Sequence, residues 1–298
     1  MNFKIWLDAF RLRTLPLSLA CIGMGGFLAG AQSKYNGLIF FLCCSTTIFL
    51  QVLSNLANDY GDTVNGADHA QRQGPQRAVQ SGAISAAAMK RAIVIFVVLC
   101  LVSGLSLLYV AFGLDVKSFL FFLVLGLLSI AAAIAYTVGR RPYGYLGLGD
   151  LSVFVFFGLV GVMGSQYLFT KTLSGAVVWP ALSCGFFSIA VLNINNIRDI
   201  DSDRQAGKFS VPVRIGRPRA IRYHWMLLMG GIAAAIIFVA ANFHSPWQFL
   251  FLLSFPLFAA NGRAVATLPS EKLDPMLKQM ALSTLLFVLL FGVGNLIG

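Results

Sequence analysis

Charge is what this sequence has least of. Only 11% of its 298 residues are Asp, Glu, Lys or Arg, against 58% that are hydrophobic, and the mean hydropathy is +0.79. A water-soluble domain of this length could not bury so much apolar surface, so lipid must be the solvent. Strict alternation of apolar and polar residues is missing too. The apolar runs are continuous, which excludes a transmembrane barrel and leaves helices, the other structure that satisfies every backbone polar group inside a bilayer. Paired metal-ligand spacings are also lacking. Cys21, Cys43, Cys44, Cys100 and Cys184 all fall within apolar runs, and His69, His224 and His244 are scattered at loop or run ends. Those positions favour buried, reduced, structural cysteine. There is no cleavable signal pattern: the first apolar run is long and follows an amphipathic stretch, IWLDAFRLR, suited to the membrane interface.

What is present is a series of nine runs near the ~20 residues a bilayer requires. They cover about 15–32, 38–57, 92–113, 118–138, 148–169, 175–197, 223–242, 247–266 and 279–297. The expected fold class is therefore all-α, a polytopic membrane protein forming one domain over 1–298, with two motif-bearing halves of about 1–145 and 146–298. With the N-terminus inside, 19 Lys and Arg fall on the cytoplasmic side and only Lys34, Lys117 and Lys171 opposite. That split puts the N-terminus in the cytoplasm and the C-terminus outside. It also accounts for most of the net charge of +11, so no nucleic-acid partner is needed. Ten of the eleven acidic residues sort to the same side, Asp115 being the exception. Acidic residues contribute little to orientation, so this second asymmetry points to function.

Two acidic clusters carry it. NDYGDTVNGAD, Asn58 to Asp68, follows the second run, and NNIRDIDSDRQAGK, Asn195 to Lys208, follows the sixth. Both contain Asn-x-x-x-Asp, as Asn58 with Asp62 and Asn195 with Asp199, and each continues to another acid, Asp68 or Asp203. Residues four apart share a helical face, which groups Asn58 with Asp62 and Asp199 with Asp203. Asp201, rotated by roughly 200° from Asp199, points elsewhere. Both clusters stand at helix C-termini, where the macrodipole disfavours anions by about 0.3–1 kcal/mol each. A bound cation relieves that cost. Oxygen-only ligands of this kind suit Mg²⁺, which keeps several waters and prefers phosphate oxygens. The candidate metal ligands are Asn58, Asp59, Asp62, Asp68, Asn195, Asp199 and Asp203. An acidic, solvated helix cap explains either cluster alone, but not a repeated pair on one membrane face.

Basic residues border both clusters. Arg72 and Arg77 follow the first; Arg204, Lys208 and Arg214 follow the second; Arg140 and Arg141 lie in GRRPYGYLGLGD. Acidic clusters holding Mg²⁺ among Arg and Lys describe a diphosphate site. Arg217, Arg219 and Arg222 read as positive-inside anchors. Lys208 differs, because Gly207 lets the chain bend back over the metal.

These motifs resemble the paired aspartate-rich motifs of UbiA-type intramembrane prenyltransferases, and more closely the 1,4-dihydroxy-2-naphthoate polyprenyltransferases of menaquinone synthesis. NLANDYGDTVNGAD, GPQRAVQSG, AYTVGRRPYGYLGLGD and DSDRQAGKFSVPVRIG occur in that order over nearly the whole chain. Five residues separate Asp62 from Asp68, a longer form similar to the naphthoate branch. The resemblance implies a helical bundle with a central cavity open sideways to lipid, capped by cytoplasmic loops, in the bacterial inner membrane. Its substrates would be a polyprenyl diphosphate and 1,4-dihydroxy-2-naphthoate, with Mg²⁺ as cofactor. Asp62, Asp199, Asp203 and Lys208 would form the catalytic centre; Tyr136 and Asp150 would lie near the aromatic substrate. For Tyr136 an interfacial aromatic role competes. The acceptor could instead be 4-hydroxybenzoate, homogentisate or a porphyrin-like ring. A cation transporter with repeated acidic half-sites is the alternative of another class, but its sites belong near the membrane midplane rather than at one face.

Overall fold

A computed structural model describes residues 3–66 and 75–297. Among these residues, nine stretches are long and apolar enough to cross a membrane, in the order the apolar runs predict. The first, Phe3–Gly30, is interrupted at Arg11, whose backbone is left-handed (φ 50°, ψ 54°). A short helix α1 (Phe3–Phe10) therefore precedes α2 (Leu15–Gly30). Trp6, Ala9 and Phe10 of α1 pack with Val52 and Leu56 of α3 (Gly37–Val64), so the amphipathic segment covers the end of the bundle that carries the first acidic cluster. The remaining spans are α4 (Ala86–Phe112), α5 (Val116–Ala135), α6 (Gly149–Thr170), α7 (Gly175–Arg198), α10 (Arg217–Ala241), α11 (Pro246–Thr267) and α12 (Asp274–Ile297). Two short helices, α8 (Ile200–Gln205) and α9 (Val211–Ile215), lie between α7 and α10.

Several boundaries differ from those read from hydropathy, each for a polar reason. Hydropathy ends the second span at about 57, but α3 continues to Val64 with Asn58, Asp59 and Asp62 inside its last turns. α12 starts at Asp274 rather than about 279, because an acid in the first turn suits the positive end of the helix dipole. The middle of α6, Phe154–Gly164, is a π-helix, and α11 opens with a 3₁₀ segment, Pro246–Ser254.

The main core joins α2, α6, α7, α10, α11 and α12. At its centre Phe187 stacks on Phe258 with centroids 4.4 Å apart and meets Phe287 edge-on at 5.0 Å. Such aromatic pairs add about 0.5–1.5 kcal/mol beyond area burial. Gly231 lets α10 approach α7, since a Cβ there would lie 2.3 Å from the Phe187 ring. α5 is the opposite case: only 6% of its apolar window is buried inside the protein, against 56% for α7. That thin packing leaves space behind it.

The space is a cavity of about 380 Å³ between α2, α3, α4, α5 and α6. It follows α3 from Cys43 to Asn58, which at 1.5 Å per residue is about 22 Å of depth. Its far walls are apolar, with Leu108, Phe122 and Leu168; Gln51, Asn55, Asn58, Tyr136 and Tyr143 make the other end polar.

Candidate active site

The polar end of the cavity is where the two acidic clusters meet. Helix α3 delivers Asn58, Asp59 and Asp62 on its last turns, and α7 delivers Asn195 one turn before it ends at Arg198. Asp199 and Asp203, expected on one helical face, lie across a break between two helices. Asp199 is the junction residue (φ −99°, ψ 14°) between α7 and α8, although its carbonyl still accepts from Asp203 N–H at 2.8 Å. The two carboxylates consequently acquire different cationic partners.

Lys208 joins the clusters. Gly207 takes φ +70°, so the Lys208 N–H returns to the Asp203 carbonyl at 2.8 Å and the side chain folds inward. Its Nζ lies 3.6 Å from Asp203 Oδ1 and 3.9 Å from Asp62 Oδ2, and 5.7 Å above the Tyr145 ring. Burial disfavours the ammonium, but Asp203 and Asp62 outweigh it and hold the Lys208 pKa well above its ordinary value. Asp62 also meets Arg77 Nη2 at 3.4 Å and accepts from the Tyr145 hydroxyl at 3.0 Å. Burial and the neighbouring Asp62 push the Tyr145 hydroxyl above the usual phenol range, so it remains a donor.

Asp199 is gripped by its sequence neighbour. Arg198 Nε and Nη2 reach Asp199 Oδ1 and Oδ2 at 2.8 and 2.7 Å, and Nη2 also donates to Asn195 Oδ1 at 2.9 Å. The same guanidinium contacts Asp274 Oδ1 at 2.6 Å through Nη1, and Asp274 is ion-paired with Arg13. Asp59 is committed differently: both of its oxygens accept backbone N–H groups, from Ala78 and Val79 at 3.1 Å each, tying the 75–85 segment to α3. Asn58 Oδ1 accepts from Thr137 Oγ1 at 3.1 Å, and Asn65 Nδ2 donates to the Thr137 carbonyl at 2.7 Å. Gly61 permits this closeness, because a Cβ there would lie 2.6 Å from Thr137 backbone and side-chain atoms.

The other residues singled out by sequence are less central. Tyr136 lines the cavity and packs edge-on against Tyr143 at 5.4 Å. Asp150 opens α6 but accepts from the Tyr223 hydroxyl at 2.8 Å, linking α6 to α10 rather than lining the cavity. Arg140, Arg141 and Arg204 are exposed. Arg214 caps the carbonyls of Phe209 and Leu146 at 3.0 and 2.8 Å. Asp68, His69 and Arg72 lie outside the described residues. All five cysteines are free thiols, four of them buried, as their apolar surroundings predict.

Sequence reasoning passed over Arg198, Asp274, Arg13, Tyr145 and Tyr223. Arg198 stands inside the second motif, yet its local reading is a positive charge at a helix end. Among the described residues no three His, Cys, Asp or Glu side chains enclose a metal site by themselves. The geometry instead provides two acidic helix ends, cations between them, and an apolar chamber opening beside them.

The sequence profile of the UbiA prenyltransferase family matches residues 18–294. The chain belongs to the UbiA prenyltransferase family. It is thus a multi-pass membrane protein, with nine spans among the described residues. It is 49% identical over 98% of its length to the 1,4-dihydroxy-2-naphthoate octaprenyltransferase of Escherichia coli (strain K12), covering 94% of that protein. It is 45% identical over its full length to the Haemophilus influenzae protein of the same name, covering 97% of it. The UbiA fold is also found in solved structures. A UbiA homolog from Aeropyrum pernix K1 superposes with a TM-score of 0.70 at 17% identity, over 96% of this chain and 98% of that one. A UbiA homolog from Archaeoglobus fulgidus bound to DMAPP and Mg²⁺ does so with 0.60 at 15% identity, over 96% and 98%.

Proposed function

We propose that this UbiA protein transfers the polyprenyl group of a polyprenyl diphosphate to 1,4-dihydroxy-2-naphthoate. Carbon dioxide and diphosphate leave, and demethylmenaquinone forms at the quinol level. The observation that carries the reading is the bridge of Asp62, Lys208 and Asp203, one helical turn from Asn58, which lines the polar end of an apolar cavity. The naphthoate acceptor is supported by the two relatives of that name at 49% and 45% identity.

The residues suit a divalent cation. Asp62 and Asp203 aim carboxylate oxygens at one shared positive charge, that of Lys208, and the amide oxygens of Asn58 and Asn195 lie on the same helix ends. Mg²⁺ uses one or two carboxylates together with water and phosphate oxygens, so the absence of a closed protein cage among the described residues agrees with it. Asp62, Asp199 and Asp203 would hold the ion, which when bound neutralises charge on the departing diphosphate.

The chain's own groups do the rest. Lys208 and Arg77 stand beside Asp62 and would contact diphosphate oxygens through charge-assisted hydrogen bonds. Tyr145 donates to Asp62 and fixes the orientation of that carboxylate. The cavity receives the prenyl chain, and its apolar walls keep water from the allylic cation that forms as the C–O bond breaks. Tyr136 and Tyr143 flank the polar end, where their faces would orient the electron-rich naphthoate ring. Asp59 acts as the anchor of the loop that carries Arg77. The site would face the cytoplasm of a bacterial inner membrane, as the 19-to-3 division of Lys and Arg implies.

The test is purified protein with Mg²⁺ and an allylic diphosphate, offered 1,4-dihydroxy-2-naphthoate, 4-hydroxybenzoate and homogentisate separately. Prenylated product is expected from the naphthoate alone. A faster reaction with 4-hydroxybenzoate would overturn the acceptor assignment, and no reaction with any acid would overturn the enzyme.

A further inference from the structure

Arg198 is one of the most buried charges in the protein, its side chain 1% exposed, and it faces two carboxylates at once. The fork formed by Nε and Nη2 holds Asp199, and Nη2 also holds Asn195; Nη1 points away from them to Asp274 at 2.6 Å. The guanidinium donates to both Asp199 oxygens, and paired with that carboxylate alone it would cancel the charge and hold those oxygens against a divalent cation. Asp274 changes the balance. It supplies a second anion on the opposite edge of the same guanidinium, so the negative charge of Asp199 is only partly neutralised. Asp274 itself is ion-paired with Arg13, whose side chain is 36% exposed and therefore better screened than Arg198. It also sits in the first turn of α12, where the helix dipole favours an anion.

We infer that Asp274 is a positioning residue for the second acidic cluster: by sharing Arg198, it weakens that side chain's hold on Asp199 and Asn195 enough for a divalent cation to compete for their oxygens. The inference rests on the metal reading proposed above. Nothing local in the sequence marks Asp274, which lies 75 positions from Asp199 and outside both acidic motifs. Its contact with Arg198 makes it an outer partner of the proposed metal ligands, and loss of such partners typically costs about 10–100-fold in metal affinity.

Titration of the purified full chain with Mn²⁺, followed by the electron paramagnetic resonance of the free ion and without substrate, tests this directly. Asp274→Asn should weaken Mn²⁺ binding about tenfold or more. Asp274→Glu, which retains the charge, should recover most of the affinity. Arg13→Gln removes the competing cation from Asp274 and should leave binding unchanged or tighter. A monodisperse Asp274→Asn protein with wild-type affinity would overturn the inference, as would equal weakening in Asp274→Asn and Arg13→Gln, which would mark mere docking of the N-terminal segment. If Asp274→Asn does not accumulate folded, Arg13→Gln decides: weaker binding refutes the inference, and unchanged or tighter binding supports it. Failure of the wild-type chain to bind Mn²⁺ at all would instead overturn the metal reading, and this inference with it.

Discussion

Replacing Lys208 with Met preserves the length of an apolar stem and removes one charge from between two carboxylates. Its Nζ lies 3.6 Å from Asp203 and 3.9 Å from Asp62, with the side chain 8% exposed. At an effective dielectric near 20, each contact is worth about 4 kcal/mol before desolvation. Desolvation offsets much of that, and removing one member of a buried ion pair costs about 3–5 kcal/mol because the opposing charge stays behind. Arg77, 3.4 Å from Asp62, still covers one of the two carboxylates, so the lower end, about 3 kcal/mol, is expected for metal-free protein. In detergent, followed by loss of monodisperse protein on heating, that corresponds to a drop of roughly 5 °C. Saturating Mg²⁺ should restore the missing positive charge, raising the variant's Tm by more than the wild type's. The pH dependence follows from the sign of the shift. A lysine whose pKa is raised on folding contributes fully below its ordinary value of 10.5 and loses that contribution only above it. The gap between variant and wild type should therefore be the same at about pH 7 and about pH 9. Arg222→Ala, at an exposed position on α10, is the control and should behave as wild type. A metal-free Lys208→Met protein as stable as wild type, or an equal gain from Mg²⁺ in both, would refute the bridging role.

Gly61→Ala should cost about 1–3 kcal/mol of stability and most of the activity, because its new methyl would stand 2.6 Å from Thr137 and push Asp62 aside; Gly37→Ala, with nothing within 4 Å and away from the cavity, should be neutral in the same thermal and turnover assays. Single cysteines introduced in the loops beside Gly66 and Gly207 should resist an impermeant thiol reagent in intact cells and react in inverted vesicles, while Ser33 and Ser245 positions do the reverse. Labelling of either loop beside Gly66 or Gly207 from outside would invert the topology.

The spans were legible because each needs only a continuous apolar run, and a run of that kind depends on nothing distant in the chain. Their polar ends were less so. The last turns of α3 carry Asn58, Asp59 and Asp62, and hydropathy ends a span where charge begins even though the helix continues. The π-helical middle of α6 left no trace, since FVFFGLVGVMG is apolar on every face and offers no period to interrupt. In the site, the paired Asn-x-x-x-Asp pattern and the bend at Gly207 pointed to Asp62, Asp203 and Lys208, which the structure brings together. Tyr145 and Asp274 were illegible for a simple reason. Tyr145 meets Asp62 across 83 positions and Asp274 meets Arg198 across 76, and only the folded bundle creates those contacts. Asp150 shows the converse: a carboxylate at a span edge invites a functional reading, yet here it is taken by Tyr223.

The central claim is that prenyl transfer to a naphthoate occurs at the two joined acidic helix ends. The most direct measurement is the stoichiometry of turnover by purified protein with Mg²⁺, an allylic diphosphate and naphthoate carrying an isotopic label in its carboxyl group. Labelled CO₂, diphosphate and prenylated product should appear in equal amounts, and all three should vanish with EDTA, with Asp62→Ala and with Asp199→Ala. Prenylated product that retains the labelled carboxyl, or undiminished turnover in either folded Asp variant, would contradict the account.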